Sequence, residues 1–355
     1  MSGRSTFRRY AGLAGGTAGV VAAGAATALL AERQRLWKRR VTSLQPFGSL
    51  RGERRTVIAD DGLELHAEID EPADGLAASA QPALVFVHGY ALNLDCWHFQ
   101  RAALRSRYRL MLYDQRSHGR SGRSRPEHCS FDQLGRDLAA VIDQLGDDDP
   151  IILVGHSLGG ITIMALAEQH PEWFGKRIGG VALVSTSAAG VNAETLGLPG
   201  LPGRLLQRMA PAVVATLART PRLVERGRRV SSDFALAVTR RVAFGRSVSD
   251  EVVDFTDQML AATPFEVVAD FFPGFDVHDK RAVLPVLAGL PTVVVCGTLD
   301  AITPIDTCRS ITEVVPSATF AEVEGAGHMV ILERPTEVTD ALEQLISRVE
   351  AVRRD

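Results

Sequence analysis

A serine sits between glycines in Gly155-His156-Ser157-Leu158-Gly159, after the apolar run 150–154 and before the helix-patterned stretch 158–170. A strand, a sharp turn and a helix with a hydroxyl at the apex hold Ser157 out for attack on an electrophilic carbon, above the positive end of the helix. The flanking glycines tolerate the cramped backbone of such a turn. A hydroxyl becomes a useful nucleophile only beside a base, and the base needs a third group to orient it. Both are present downstream. Asp300 follows the β-branched run 291–297, and His328 ends Glu324-Gly325-Ala326-Gly327-His328 after the run 318–323. The order is nucleophile, acid, histidine, each just past the end of an expected strand. In a parallel sheet those ends share one edge, where ligand crevices form. Singly, each residue has a plainer reading: a turn serine, a loop histidine, a cap or turn aspartate ahead of Pro304. The combination and its order carry the inference.

The elements that must position these residues are legible in the hydrophobic pattern. Residues 55–59 and 63–69 read as a hairpin around Asp61-Gly62. Strands are expected at 83–88, 109–114, 150–155, 179–185, 291–297 and 318–323. Helices are expected at about 96–106, 132–145 and 158–170, near Pro304, and from about Pro335. Strands alternating with helices imply a mostly parallel sheet covered on both faces. About a hundred residues separate the strand ending near Ser185 from the one starting at Thr292, far more than a crossover needs.

Two more motifs complete the pattern: Leu84-Val85-Phe86-Val87-His88-Gly89-Tyr90, and Tyr113-Asp114-Gln115-Arg116-Ser117-His118-Gly119-Arg120-Ser121. With these, residues 53–350 resemble the α/β-hydrolase-fold serine hydrolases, of esterase or lipase type. The resemblance implies an α/β fold with an eight-stranded mostly parallel sheet flanked by helices, and a helical cap inserted after strand 6. It implies Ser157, Asp300 and His328 as a catalytic triad, with the backbone N–H groups of Tyr90 and Leu158 as oxyanion donors. It implies a small-molecule or lipid ester as substrate, and no metal or organic cofactor. His88 is expected to organise its loop. The Tyr90 side chain either lines an acyl pocket or packs. Where many relatives read D-x-R-G-x-G, Ser117 replaces the first glycine, which loosens the expectation for that turn.

Residue identities separate this chain from other chemistries of the fold. Epoxide hydrolases and haloalkane dehalogenases use an aspartate where this chain has Ser157, and epoxide opening also uses cap tyrosines. The tyrosines here are 10, 90, 108 and 113, none in the cap. Proline iminopeptidases carry tryptophan where this chain has Leu158. Cofactor-free haloperoxidase, perhydrolase and thioesterase activities share the triad and stay open, as does a non-catalytic, membrane-tethered binding role.

The resulting division is an N-terminal segment 1–40, a linker 41–54, a first core half 55–189, a cap 190–277 and a second core half 278–355. A net charge of −3 leaves no electrostatic footprint for nucleic acid. Cys96, Cys129, Cys296 and Cys308 lie far apart with no metal-ligand spacing, and the last two read as small core residues. Between Arg204 and Arg246, ten arginines face only Glu225 and Asp233. A solvated helix surface is the plainer reading, contact with anionic lipid the sharper one. Residues 10–31 carry no charge and are flanked by Arg4, Arg8 and Arg9 and by Arg33, Arg35, Lys38, Arg39 and Arg40. That length spans a bilayer, so a single-pass anchor with the catalytic domain on the cytoplasmic side is expected, ahead of a signal peptide or a low-complexity tail. Oligomeric state is left open.

Overall fold

The computed structural model describes residues 46–72, 81–146, 150–190, 239–246 and 248–354. β1 (Glu53–Ile58) and β2 (Glu64–Asp70) pair antiparallel, with Ile58 opposite Glu64. The turn between them uses Gly62 at φ +81°, a conformation that favours glycine. β2 then pairs antiparallel with β4 (Leu110–Tyr113), and the remaining strands are parallel. They are β3 (Ala83–Val87), β5 (Ile151–His156), β6 (Ile178–Val184), β7 (Thr292–Gly297) and β8 (Ala318–Val323). The sheet order is β1-β2-β4-β3-β5-β6-β7-β8. Every residue of β3, β4, β5 and β7 is buried, which explains their unbroken apolar runs.

The order places β4 on one side of β3 and β5 on the other, so the connections after β3 and β5 diverge and leave a crevice at their carboxyl ends. Register makes this specific: Val87 pairs with Gly155, so the loop after β3 and the turn after β5 leave the sheet at one level. Gly297 pairs with Val323, so the loops carrying Asp300 and His328 also emerge side by side.

The helices among the described residues include α1 (His98–Leu104), α2 (Phe131–Leu145), α3 (Leu158–Gln169), α4 (Asp250–Ala262), α5 (Phe265–Val277), α6 (Ile305–Val314), α7 (Val330–Glu333) and α8 (Pro335–Arg354). Ser130 caps α2 by accepting from the Gln133 N–H at 3.2 Å. α3 buries ten consecutive residues, Leu158–Ala167, and is apolar on every side because it lies between the sheet and α2. α8 buries Val338, Ala341, Leu342, Leu345, Ile346 and Val349, a 3–4 spacing that presses one stripe onto β6 and β7. Each fully buried leucine there contributes about 2 kcal/mol.

Within the long stretch between β6 and β7, α4 and α5 are described, while 191–238, which hold most of the arginine-rich segment, lie outside the described residues. One expectation is corrected. Among the described residues no helix is long and apolar enough to cross a membrane. Residues 10–31, on which the single-pass anchor rested, lie outside the described residues. The anchored localisation therefore has no support and is withdrawn.

Candidate active site

Ser157 occupies φ 53°, ψ −116° between β5 and α3. A non-glycine residue held there is strained by about 1–3 kcal/mol. The neighbours enforce it. A Cβ on Gly155 would lie 2.6 Å from the Gly159 backbone, and one on Gly159 would lie 2.1 Å from the Val87 carbonyl oxygen. Strand, turn and helix thus approach at backbone contact, and only glycine fits. The turn is pinned by the Ser157 N–H donating to Val184 O at 2.9 Å and by Thr186 Oγ1 donating to Ser157 O at 2.7 Å. Ser157 itself is half-buried. Leu158 is the first residue of α3, a position whose N–H has no intrahelical acceptor.

Asp300 and His328 are brought together. The His328 Nδ1 lies 3.1 Å from Asp300 Oδ1 and 3.0 Å from Oδ2. An ionised carboxylate only accepts, so Nδ1 carries the proton and Nε2 is left as the basic nitrogen. Asp300 is itself held from the other side. Its Oδ1 accepts from the N–H groups of Ile302 (2.9 Å) and Thr303 (2.8 Å), and its Oδ2 from Thr303 Oγ1 (2.8 Å). Burial alone would raise the Asp300 pKa. The His328 charge, its hydrogen bond and the two Thr303 bonds outweigh that and hold it below the ordinary carboxylate range. The same carboxylate therefore closes the turn before α6 and pairs with the imidazole. Thr303 is the residue missed in the sequence, and the aspartate-to-threonine spacing of three was the available signal.

The Ser157 turn reaches the histidine loop through its neighbour. His156 Nε2 donates to His328 O at 3.0 Å, and the two rings lie 5.0 Å apart. Burial and the adjacent His328 ring push the His156 pKa down to about 3, so it stays neutral.

On the loop after β3, His88 Nε2 accepts from the Gln115 N–H at 2.9 Å, which makes Nδ1 the donor to Gly89 O at 2.8 Å. Gln115 also donates to His88 O and accepts from Thr162 on α3. Burial, with the His118 ring next, pushes the His88 pKa down to about 3. His88 is a neutral strut, as expected. The Tyr90 hydroxyl donates to Val268 O, so this side chain ties the loop to α5. Its ring meets Phe275 edge-on at 5.0 Å. Thr263 Oγ1 donates to Ala91 O at 2.9 Å, a second tie between this loop and the stretch before β7.

The loop after β4 is built around a buried carboxyl group. Asp114 accepts from the Leu94 and Arg120 N–H groups, both at 2.8 Å. Gly119, at φ +52°, is required because a Cβ there would lie 2.4 Å from the Asp114 carboxylate. Ser117, where many relatives have glycine, adopts φ +66°, in the left-handed region that favours glycine. Its Oγ accepts from the Ser124 N–H at 2.9 Å.

The chain matches the alpha/beta hydrolase fold family over residues 82–335. It belongs to that family. A pimeloyl-[acyl-carrier protein] methyl ester esterase of Aeromonas hydrophila is 27% identical over 274 residues, covering 75% of this chain and 95% of that protein. A 3-oxoadipate enol-lactonase of Acinetobacter baylyi is 27% identical over 269 residues, covering 76% and 90%. Among solved structures, a thermophilic esterase from Thermogutta terrifontis superposes with a TM-score of 0.64 at 25% identity, covering 84% of this chain and 99% of that one. Hydrolase membership rests on these matches. Among the described residues, no cluster of three histidine, cysteine or acidic side chains is arranged to hold a metal. All four cysteines are buried free thiols, and Cys296 and Cys308 fill core positions as expected.

Proposed function

We propose that this protein is a serine hydrolase that cleaves a carboxylic ester, with Ser157 as nucleophile, His328 as base and Asp300 as its orienting acid. The observation that carries the reading is the pairing of Asp300 with His328 Nδ1, on a loop that His156, the residue before the strained Ser157, bonds through the His328 carbonyl. His328 Nε2 takes the proton from Ser157 Oγ as the oxygen attacks the acyl carbon. The N–H groups of Leu158 and Tyr90 receive the charge that develops on the carbonyl oxygen. The proton passes to the leaving alkoxide, and water activated by the same imidazole releases the acyl group.

The stretch 190–277 serves as a cap. What supports this is the contact of its described part with the two loops beside the site: Thr263 on Ala91 and Val268 on Tyr90 in the loop after β3, and Phe271 on His118 in the loop after β4. The aromatic groups gathered there suit a small apolar ester. The two named relatives carry names of a methyl ester esterase and an enol-lactonase, and a lactone is a cyclic ester.

The test is hydrolysis of p-nitrophenyl esters of increasing acyl length by the full chain, beside its Ser157→Ala variant. Turnover is expected in the parent and lost in the variant, with fluorophosphonate labelling lost in parallel. Labelling retained at another serine would refute the assignment.

A further inference from the structure

Glu333 is a buried carboxylate five residues past His328, on the short helix α7. Its two oxygens hold two different pieces of chain. Oε1 accepts from the Gly327 N–H at 2.7 Å, the amide immediately before His328. Oε2 accepts from the Gly245 N–H at 2.8 Å, on the segment leading towards α4. The two segments run against each other at backbone contact. A Cβ on Gly245 would lie 2.1 Å from Gly325 O, and one on Gly327 would lie 2.5 Å from the Phe244 backbone. The Met329 N–H donates to Ala243 O at 2.9 Å, and the Arg246 N–H to Gly325 O at 3.3 Å. His328 is thus bracketed. The residue before it is fixed by Glu333, its own carbonyl by His156, and the residue after it by Ala243.

We infer that Glu333 is a positioning residue for the base, its carboxylate clamping the histidine loop to the 243–246 segment so that His328 stands in line between Asp300 and Ser157. The inference rests on the triad reading above and extends it. A carboxylate suits the task because it presents acceptors on both sides and no donor. An amide in the same place offers one acceptor and one donor. One of the two glycine N–H groups would then face an N–H and be pushed away.

Glu333→Gln therefore releases one side of the clamp with almost no change in volume. Displacing a base by a fraction of an ångström loses about 30- to 100-fold in turnover while substrate binding is kept. The experiment compares kcat and KM for a p-nitrophenyl ester in the parent, Glu333→Gln and Ser157→Ala. Amide exchange at Gly327 and Gly245 is followed by NMR in the first two. The expected result is a kcat lowered about 30-fold or more, KM within about twofold, and faster exchange at one or both glycines. A raised KM at unchanged kcat overturns the inference, since Glu333 would then shape only substrate entry. Full turnover in Glu333→Gln beside an inactive Ser157→Ala variant also overturns it, and it alone. Turnover that survives Ser157→Ala overturns the triad reading and this inference with it. If Glu333→Gln does not accumulate folded, Glu333→Asp gives the same test, since its shorter side chain keeps the charge but reaches only one glycine.

Discussion

Replacing Asp300 by asparagine keeps the size of the side chain and inverts one of its hydrogen-bonding atoms. The surroundings decide which one. Oδ1 accepts from two backbone N–H groups, Ile302 at 2.9 Å and Thr303 at 2.8 Å, and neither can turn away. Oδ2 accepts from the Thr303 hydroxyl at 2.8 Å, which rotates freely to become an acceptor. The NH2 of the introduced amide therefore settles at the Oδ2 position, 3.0 Å from His328 Nδ1. Two donors cannot share that contact, so the imidazole moves its proton to Nε2 and presents a bare Nδ1. In that tautomer Nε2 cannot accept the serine proton. A wrong tautomer costs a Ser-His-Asp triad about 10⁴-fold in kcat, or about 5 kcal/mol of transition-state stabilisation. The assay is steady-state hydrolysis of a p-nitrophenyl ester, with the rate of fluorophosphonate labelling of Ser157 as a readout independent of deacylation. Both rates should fall together, with KM little changed. An Asp300→Asn variant within tenfold of the parent, beside an inactive Ser157→Ala variant, would refute the reasoning.

Four other outcomes follow from the geometry. Ser157→Gly should abolish turnover yet raise the thermal midpoint, because glycine accepts φ 53°, ψ −116° without the side-chain strain; the net gain is about 1 kcal/mol. A lowered midpoint would show that the turn is not strained. Tyr90→Phe removes the hydroxyl bond to Val268 O but keeps the backbone N–H, so stability falls by about 1 kcal/mol while kcat on a small ester holds within about threefold. A loss of kcat approaching that of Ser157→Ala would implicate the hydroxyl in the chemistry. Arg101 is fully buried between Asp70 and Glu68, at 2.7 Å and 2.8 Å, so Arg101→Met should destabilise by about 3 kcal/mol by removing the one fully buried cation that both carboxylates share. Burial would raise the Glu68 pKa, but His66, the Gly52 N–H and Arg101 bring it down to about 2 from an ordinary 4.5. Its folded-state pKa is depressed, so its stabilisation is complete above about pH 4.5 and lost as pH falls towards 2. Denaturant unfolding of the parent and of Glu68→Gln across that window should converge at the acid end.

The sequence alone determined the strand and helix alternation, because a buried strand must be apolar throughout and an outer helix must be apolar on one side. It also singled out the candidates for chemistry. Gly155 and Gly159 can be nothing else where backbones touch, and Ser157, Asp300 and His328 each stand just past a strand. Asp61-Gly62 fixed the hairpin in the same local way, through a φ that favours glycine. Only the tertiary structure decided what depends on contacts distant in the chain. That the Tyr90 ring packs and its hydroxyl is spent on Val268 follows from where α5 lies, and no spacing encodes that. That Thr303 shares the aspartate with His328 follows from β7 and β8 standing adjacent in register. That Glu333 reaches back to Gly327 and across to Gly245 requires residues 88 apart in the chain to meet at hydrogen-bond distance. Local pattern is written by local sterics and periodicity, whereas a carboxylate finds its partners only after the sheet order has set which loops are neighbours.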